Sequence, residues 1–475
     1  MQAGRGTISA VRRFALRRTR WPVHTLVAVT AVLVLAQARA QPAPLLVAPP
    51  DVVRSVSRAS VGSDGRQANG MTFGAVLSAS GRHVAFASGA TTLVRGDANG
   101  HVDVFVRDLA MRRTWRASVA SSGAGSDGPS AKPSISANGS IVAFPSAATN
   151  LVRGDANRAQ DVFVRDRDAG TTTRVSQNGA REANAGSLAA LLSADGRVVV
   201  FSSEASNLVA DDRNGALDVF AADRATGRIT RVSVGPYGES AGRSEASSID
   251  ADGTVVGFRS FARNLAYGDW NGRADVFVRD RGHGRTERVN VSSAGIEAGK
   301  ATFRGMVSGD GRFVGFRSRA GNLVAHDTNG ALDVFVHDRV TGEMRRVSVA
   351  SGGTQADATG FDRRTRRSLF VSRPFLSADG RYAAFTSRAP NLVPGDRNGV
   401  SDVFVHDLLT RTTTRVSATA AGEEATGASS ISGISADGRV VAYTSVADNL
   451  VPGDTNARRD VFVAVLDGRV AGGRH

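Results

Sequence analysis

The pattern Gly-Asp-x-Asn-Gly-x-x-Asp-Val-Phe-Val recurs, with small variations, seven times in this chain of 475 residues. Its first acid stands at Asp97, Asp155, Asp212, Asp269, Asp327, Asp396 and Asp454, in steps of 58, 57, 57, 58, 69 and 58. Two residues on, each copy has asparagine: Asn99, Asn157, Asn214, Asn271, Asn329, Asn398 and Asn456. Six residues on, each has a second acid: Asp103, Asp161, Asp218, Asp275, Asp333, Asp402 and Asp460. A fixed period of this length marks a repeat architecture, in which one small unit is stacked on copies of itself.

Each unit reads as four short strands. Strand a is a Ser-Ile-Ser type segment, as at Pro133–Ala137. An Asn-Gly or Asp-Gly pair follows, as at Asn138-Gly139 and Asp195-Gly196, and predicts a two-residue hairpin with both residues at positive φ. Strand b ends at Phe86, Phe144, Phe201, Phe258, Phe316, Phe385 and Tyr443. Strand c carries Phe105, Phe163, Phe220, Phe277, Phe335, Phe404 and Phe462. These two positions take 13 of the 21 phenylalanines, which predicts aromatic packing between units. Strand d is a Thr-Arg-Val-Ser type segment, as at Arg174–Ser176 and Arg415–Ser417.

Seven four-stranded antiparallel units predict an all-β, seven-bladed β-propeller over residues 52–466. The seventh copy stops after strand c, at Asp460–Val465, while Val53–Val61 ahead of the first strand a resembles a spare strand d. The spare strand is expected to complete the last blade and remove an open sheet edge. Residues 467–475 form a tail.

Residues 1–22 are basic, Val23–Ala36 is an uncharged, largely apolar run, and Ala38-Arg39-Ala40 is a small-x-small cleavage site. Residues 1–40 therefore predict a secretory signal, followed by a Pro-rich linker at 41–51. The apolar run is short for a membrane span, so none is expected after cleavage. The expected address is periplasmic or extracellular. There is no cysteine, which excludes disulfides, thiol nucleophiles and Cys-ligated metals. The formal charge is +15, and seven of those charges are arginines in the first forty residues, where no acid offsets them. The remaining arginines are spread through all the repeats, so no nucleic-acid partner is expected.

The segment Ser-x-Asp-Gly-Arg-x-x-x-Phe-x-Ser, at Ser193–Ser203 and Ser377–Ser387, resembles the WD40-like repeat of the TolB-type periplasmic propellers. The resemblance extends over about residues 52–466 and implies the propeller fold. It says little about activity, because such blades host many functions. TolB-type proteins place an α/β domain ahead of the blades, and propeller-bearing peptidases add a catalytic domain. Neither fits between residue 40 and the first β segment.

The short a–b and c–d turns should share one face, and the longer b–c and d–a connections the other. All seven acidic loops would then ring one face, where loops on a rigid scaffold commonly carry function. One expectation is Ca²⁺ held by Asp97, Asn99 and Asp103 and their six equivalents, since these are hard oxygen ligands around a Gly-permitted turn. The alternative is structural: the same side chains satisfy backbone N–H groups of their own loops. Two further features are candidate partner contacts. Trp270 sits inside an acidic loop where other copies have small or polar residues. The longest step contains an insertion with Arg363, Arg364, Arg366 and Arg367. His326 replaces the glycine that precedes the acid in most copies.

The expected function is that of an exported, monomeric, non-catalytic scaffold that binds a protein or cell-envelope component through the long-loop face. The alternative is a hydrolase or lyase acting on a glycan or peptide at the propeller channel. A lectin is a third reading, and the scarcity of Tyr and Trp argues against it.

Overall fold

The computed structural model describes residues 53–357 and 373–467, and among them there is no helix. Seven four-stranded antiparallel sheets form the blades of a β-propeller. Blade 1 comprises strands a (Thr72–Leu77), b (His83–Ser88), c (Asp103–Asp108) and d (Arg113–Arg116). Blade 4 comprises Ser244–Ile249, Val255–Ser260, Asp275–Asp280 and Arg285–Arg288. The other blades repeat this order.

Burial explains the composition of the strands. In blade 1 every residue of strands b and c is buried, because both faces of the blade are covered by neighbouring blades. Such strands read as nearly continuous apolar runs. Strand d at Thr171–Arg174 alternates exposed and buried residues, as expected at a sheet edge. The paired aromatics stand directly opposite each other across strands b and c, as Phe86 and Phe105 do, with ring centroids 6.0 Å apart. Cross-strand aromatic pairs of this kind stabilise a sheet beyond their area.

The ring of blades closes by packing. Ala442, Val461 and Val463 of blade 7 share one apolar cluster with Phe86 and Phe105 of blade 1. The outer strand of blade 7 is Val53–Arg58, antiparallel to Asp460–Leu466, with Val56 opposite Ala464 and Arg58 opposite Phe462. No helix among the described residues is long and apolar enough to cross a membrane.

The a–b turn differs from the expected two-residue hairpin. In blade 3 Gly196 N–H donates to the Ser193 carbonyl at 2.9 Å, and Ser193 N–H donates to the Val198 carbonyl at 3.0 Å. Gly196 alone takes positive φ, at 76°. This is a tight turn closed by a left-handed glycine and a bulge. The Asp195 carboxylate accepts from Ser193 Oγ at 2.6 Å and from Arg197 N–H at 2.9 Å, which holds the aspartate out of the left-handed region. A Cβ on Gly196 would also come within 2.5 Å of Ile141 in the neighbouring blade.

Exposed strand edges are capped from the preceding blade's d–a connection. Thr114 N–H in strand d of blade 1 donates to Ser63 Oγ at 2.9 Å, and Thr114 Oγ1 donates to the Val61 carbonyl. Thr172 with Ser121, Met344 with Ser293 and Thr413 with Ser351 make the same backbone-to-serine bond. Covering the outer edge in this way blocks strand addition by another chain.

Candidate binding face: acidic loop staples and the aromatic cluster of blade 4

The recurring acids and asparagines converge at the entry to each strand c. In blade 1 Asp103 is fully buried, and its carboxylate accepts from Ser118 Oγ at 2.5 Å, Ser126 Oγ at 2.8 Å and Asn99 Nδ2 at 2.8 Å. Asn99 Nδ2 also donates to the Ser126 carbonyl, and Asn99 Oδ1 accepts from His101 N–H. One asparagine thus ties the b–c loop to the next connection. The same Asn-to-Asp bond recurs at Asn157, Asn214, Asn398 and Asn456.

An arginine from strand d completes each site, and sequence reasoning missed this role. Arg116 Nη1 lies 3.0 Å from Asp97 and 3.4 Å from Asp103. Arg174 reaches Asp155, Asp161 and Glu182; Arg231 reaches Asp212 and Glu239. Arg346 reaches Asp327 and Asp333; Arg415 reaches Asp396 and Glu424. In blade 7 the arginine is Arg58, from the first strand, beside Asp454 and Asp460. The signal was present: in six repeats this arginine stands 19 residues after the first aspartate, at Arg116, Arg174, Arg231, Arg288, Arg346 and Arg415. Burial still pushes the carboxyls of Asp97, Asp155, Asp212, Asp269, Asp327 and Asp454 above their ordinary range. It pushes Asp275 and Asp396 up to about 6.

Asp269, Asp275 and Glu297 bring ligand oxygens within 4.8 Å of one another and could hold a metal ion. Arg288 Nη1 already lies among them, 3.0 Å from Glu297, 3.6 Å from Asp275 and 3.8 Å from Asp269. A guanidinium therefore supplies the positive charge that three clustered carboxylates require. Blade 4 departs from its siblings here: Asn290 replaces the usual serine and donates to Asp275, while Asn271 donates to Glu297.

Blade 4 also carries the exposed aromatics. Among the described residues, the large exposed aromatic side chains are Tyr237, Phe261, Tyr267 and Trp270. Trp270 is 84% exposed, Tyr267 74% and Tyr237 59%. Tyr237 sits at the tip of a small hairpin, Val234–Gly235 paired with Gly238–Glu239. Its ring meets Tyr267 edge to face, at 5.3 Å and 74°. Trp270 lies between Asp269 and Asn271, and both neighbours are anchored in the staple. The backbone is thus gripped on either side while the indole is presented to solvent.

The inner part of blades 4–6 is rich in arginine. Glu245 is bonded to Arg304 at 2.7 Å and to Arg243 at 3.1 Å. Arg373 Nη1 donates to the Ser247 carbonyl at 3.5 Å, and burial pushes its guanidinium down to about 10, with Arg304 and Arg317 adding like charge. Arg363, Arg364, Arg366 and Arg367 lie outside the described residues. His326 is exposed and adopts φ of 57° in place of glycine; its carbonyl accepts from Gln355 Nε2.

No protein-family model matches the sequence, and no curated protein matches it. Among solved structures the chain is similar to TolB from Acinetobacter baumannii, at 15% identity and a TM-score of 0.38. That match covers 71% of this chain and 64% of the other, so the chain spans just under two thirds of that TolB. It is similar to an oligogalacturonate lyase from Vibrio parahaemolyticus, at 10% identity, 88% and 92% coverage and a TM-score of 0.46. It is also similar to the β-propeller domain of the Trilobed protease from Pyrococcus furiosus, at 11% identity, 84% and 96% coverage and a TM-score of 0.48.

Proposed function

We propose that this protein is an exported, non-catalytic propeller that binds a protein or cell-envelope component through its long connections. The observation that carries this reading is the consumption of the repeated acids. Each loop pair is bound to a strand-d arginine, and Glu245 is held between two more. General acid–base work needs a carboxylate free to exchange a proton with substrate. These carboxylates instead lie beside a guanidinium, and in most repeats the strand-c acid also accepts from its neighbouring asparagine and serine. Tyr237, Phe261, Tyr267 and Trp270 stand open to solvent on the same connections, and aromatic side chains are common contact residues.

Incubation of the purified protein with glycans and peptides, followed by mass spectrometry, tests the reading. Unchanged substrates are expected. Hydrolysis or elimination products that disappear in a Glu245→Gln variant would move the function to the arginine-rich interior and overturn it.

A further inference from the structure

We infer that the seam between blades 3 and 4 is a carbohydrate-binding site, with Trp270, Tyr267 and Tyr237 as its stacking surface. The inference rests on the scaffold reading and names the ligand class. Beside the tyrosines runs a cleft of about 590 Å³ lined by residues that include Pro236, Tyr267, Arg285, Thr286 and Glu287. That volume lies within the range of roughly 300–1,000 Å³ typical of small-ligand sites.

Three features mark this seam. First, Pro236 occupies the place of the capping serines Ser63, Ser121, Ser293 and Ser351. Proline has no hydroxyl to accept the strand-edge N–H. Thr286 keeps its hydroxyl bond to the Val234 carbonyl, and its N–H lacks the serine cap seen in blades 1, 2, 5 and 6. The same place is Gly179 and Ala420 in the connections to blades 3 and 7, so a donor capped in four blades is here offered to the cleft. Second, the aromatic residues are particular to this seam. Trp270 replaces Ala98, Ala156, Arg213, Thr328, Arg397 and Thr455 of the other repeats, and Tyr267 replaces Arg95, Arg153, Ala210, Ala325, Pro394 and Pro452. Third, they are rigidly held, by the hairpin under Tyr237 and by the staple on either side of Trp270.

The chemistry of the surroundings selects the ligand. Exposed rings present an electron-rich face to the polarised C–H groups of a pyranose. Arg285, Glu287 and the Thr286 N–H then offer donors and acceptors to its hydroxyls. Arg279 and Arg285, which line the cleft with Tyr267, disfavour a cationic guest, so this is not an ammonium cage. Pro236, Ala266 and Val291 are the aliphatic side chains among the cleft's lining residues, all small, so a large apolar peptide anchor would find little to bury against.

The test is calorimetry and tryptophan emission with the full chain, using cellohexaose, chitohexaose, mannohexaose and hexagalacturonate as probes. At least one probe should bind and change the emission component that Trp270→Ala removes. Trp270→Ala and Tyr267→Ala should each weaken that binding about tenfold, a change of about 1.4 kcal/mol, with the melting temperature unchanged. Trp270→Phe should recover part of it. Absence of binding by all four probes at millimolar concentration overturns the inference, as does binding indifferent to both alanine variants. Either result leaves the scaffold reading standing, whereas cleavage of a bound probe defeats that reading and spares the site.

Discussion

Arg58, in the first described strand, lies 3.2 Å from Asp454, 396 residues further along the chain. Its guanidinium is also 3.7 Å from Asp460. The side chains of Arg58 and Asp454 are 8% and 4% exposed. Six staples draw their arginine from their own blade, and the seventh draws it from the other end of the sequence. Arg58→Ala would leave two buried carboxylates without their cation, at a cost of about 3–5 kcal/mol. Arg54→Ala, whose partner Asp467 is exposed, should cost under about 1 kcal/mol. Urea denaturation of both variants checks this, and equal midpoints would show that Arg58 is not needed to hold the last blade.

The acidic loops bear on metal dependence. With a guanidinium among Asp269, Asp275 and Glu297, chelation of the native protein should leave its melting temperature unchanged. Arg288→Ala removes that charge and should destabilise the fold by about 3 kcal/mol at neutral pH. Millimolar Ca²⁺ should then restore part of the loss, because the three carboxylates become a hard-oxygen site. Melting curves with chelator and with Ca²⁺ decide it. A large fall in the native melting temperature on chelation would make the loops metal sites in their own right.

The propeller was legible because its signals are repeated. The seven Phe and Tyr pairs and the glycine turns recur at a fixed offset, so each copy reinforces the others. The staple was half legible. Asp97, Asn99 and Asp103 lie within seven residues, while their cation, Arg116, comes from the next hairpin, where it looked like one of many surface arginines. The aromatic seam was less legible still. Tyr237 and Tyr267 are thirty residues apart and belong to different repeats, and only the fold brings their rings within 5.3 Å. Composition alone counted few Tyr and Trp and argued against a sugar, because it could not show that those few gather at one seam.

Asp250 is the odd member of another repeated set. Ser78, Ser136, Ser193, Ser308, Ser377 and Ser435 open the a–b turn in the other blades, and each Oγ accepts the N–H that begins strand b. Asp250 places a carboxyl there instead. Its Oδ1 is buried with no hydrogen-bond partner, and burial pushes its pKa up to about 6. Asp250→Ser should therefore stabilise the protein by about 1–2 kcal/mol at pH 7. A carboxyl raised when folded binds more protons than its unfolded form between about pH 4 and 6, so the native penalty fades as pH falls. The gain should shrink over that interval in denaturation curves. A substitution that destabilises at pH 7 would give Asp250 a structural or binding role that its contacts do not reveal.

His406 has the opposite sign. It is buried in strand c of blade 6, and its Nδ1 lies 2.9 Å from Thr413 Oγ1, whose own hydrogen is donated to the Val349 carbonyl. The imidazole therefore donates from Nδ1 and packs neutral. Burial lowers its pKa to about 4 despite the nearby Asp407, and burial lowers His337 at the same strand position in blade 5. An unfolded histidine titrates near about 6.5, so between those values the unfolded chain binds more protons. Stability contributed by neutral His406 is full above about pH 6.5 and is lost as pH falls toward 4, up to about 3 kcal/mol. The raised pKa values of Asp250, Asp275 and Asp396 act the other way over the same range, so the native curve alone would hide the effect. His406→Gln separates them, since glutamine can donate to Thr413 and does not titrate. The difference in unfolding free energy between native protein and variant should drift toward the variant as pH drops from 7 to 4. Two curves that stay parallel throughout would mean that His406 is protonated, or exposed to water, in the folded protein.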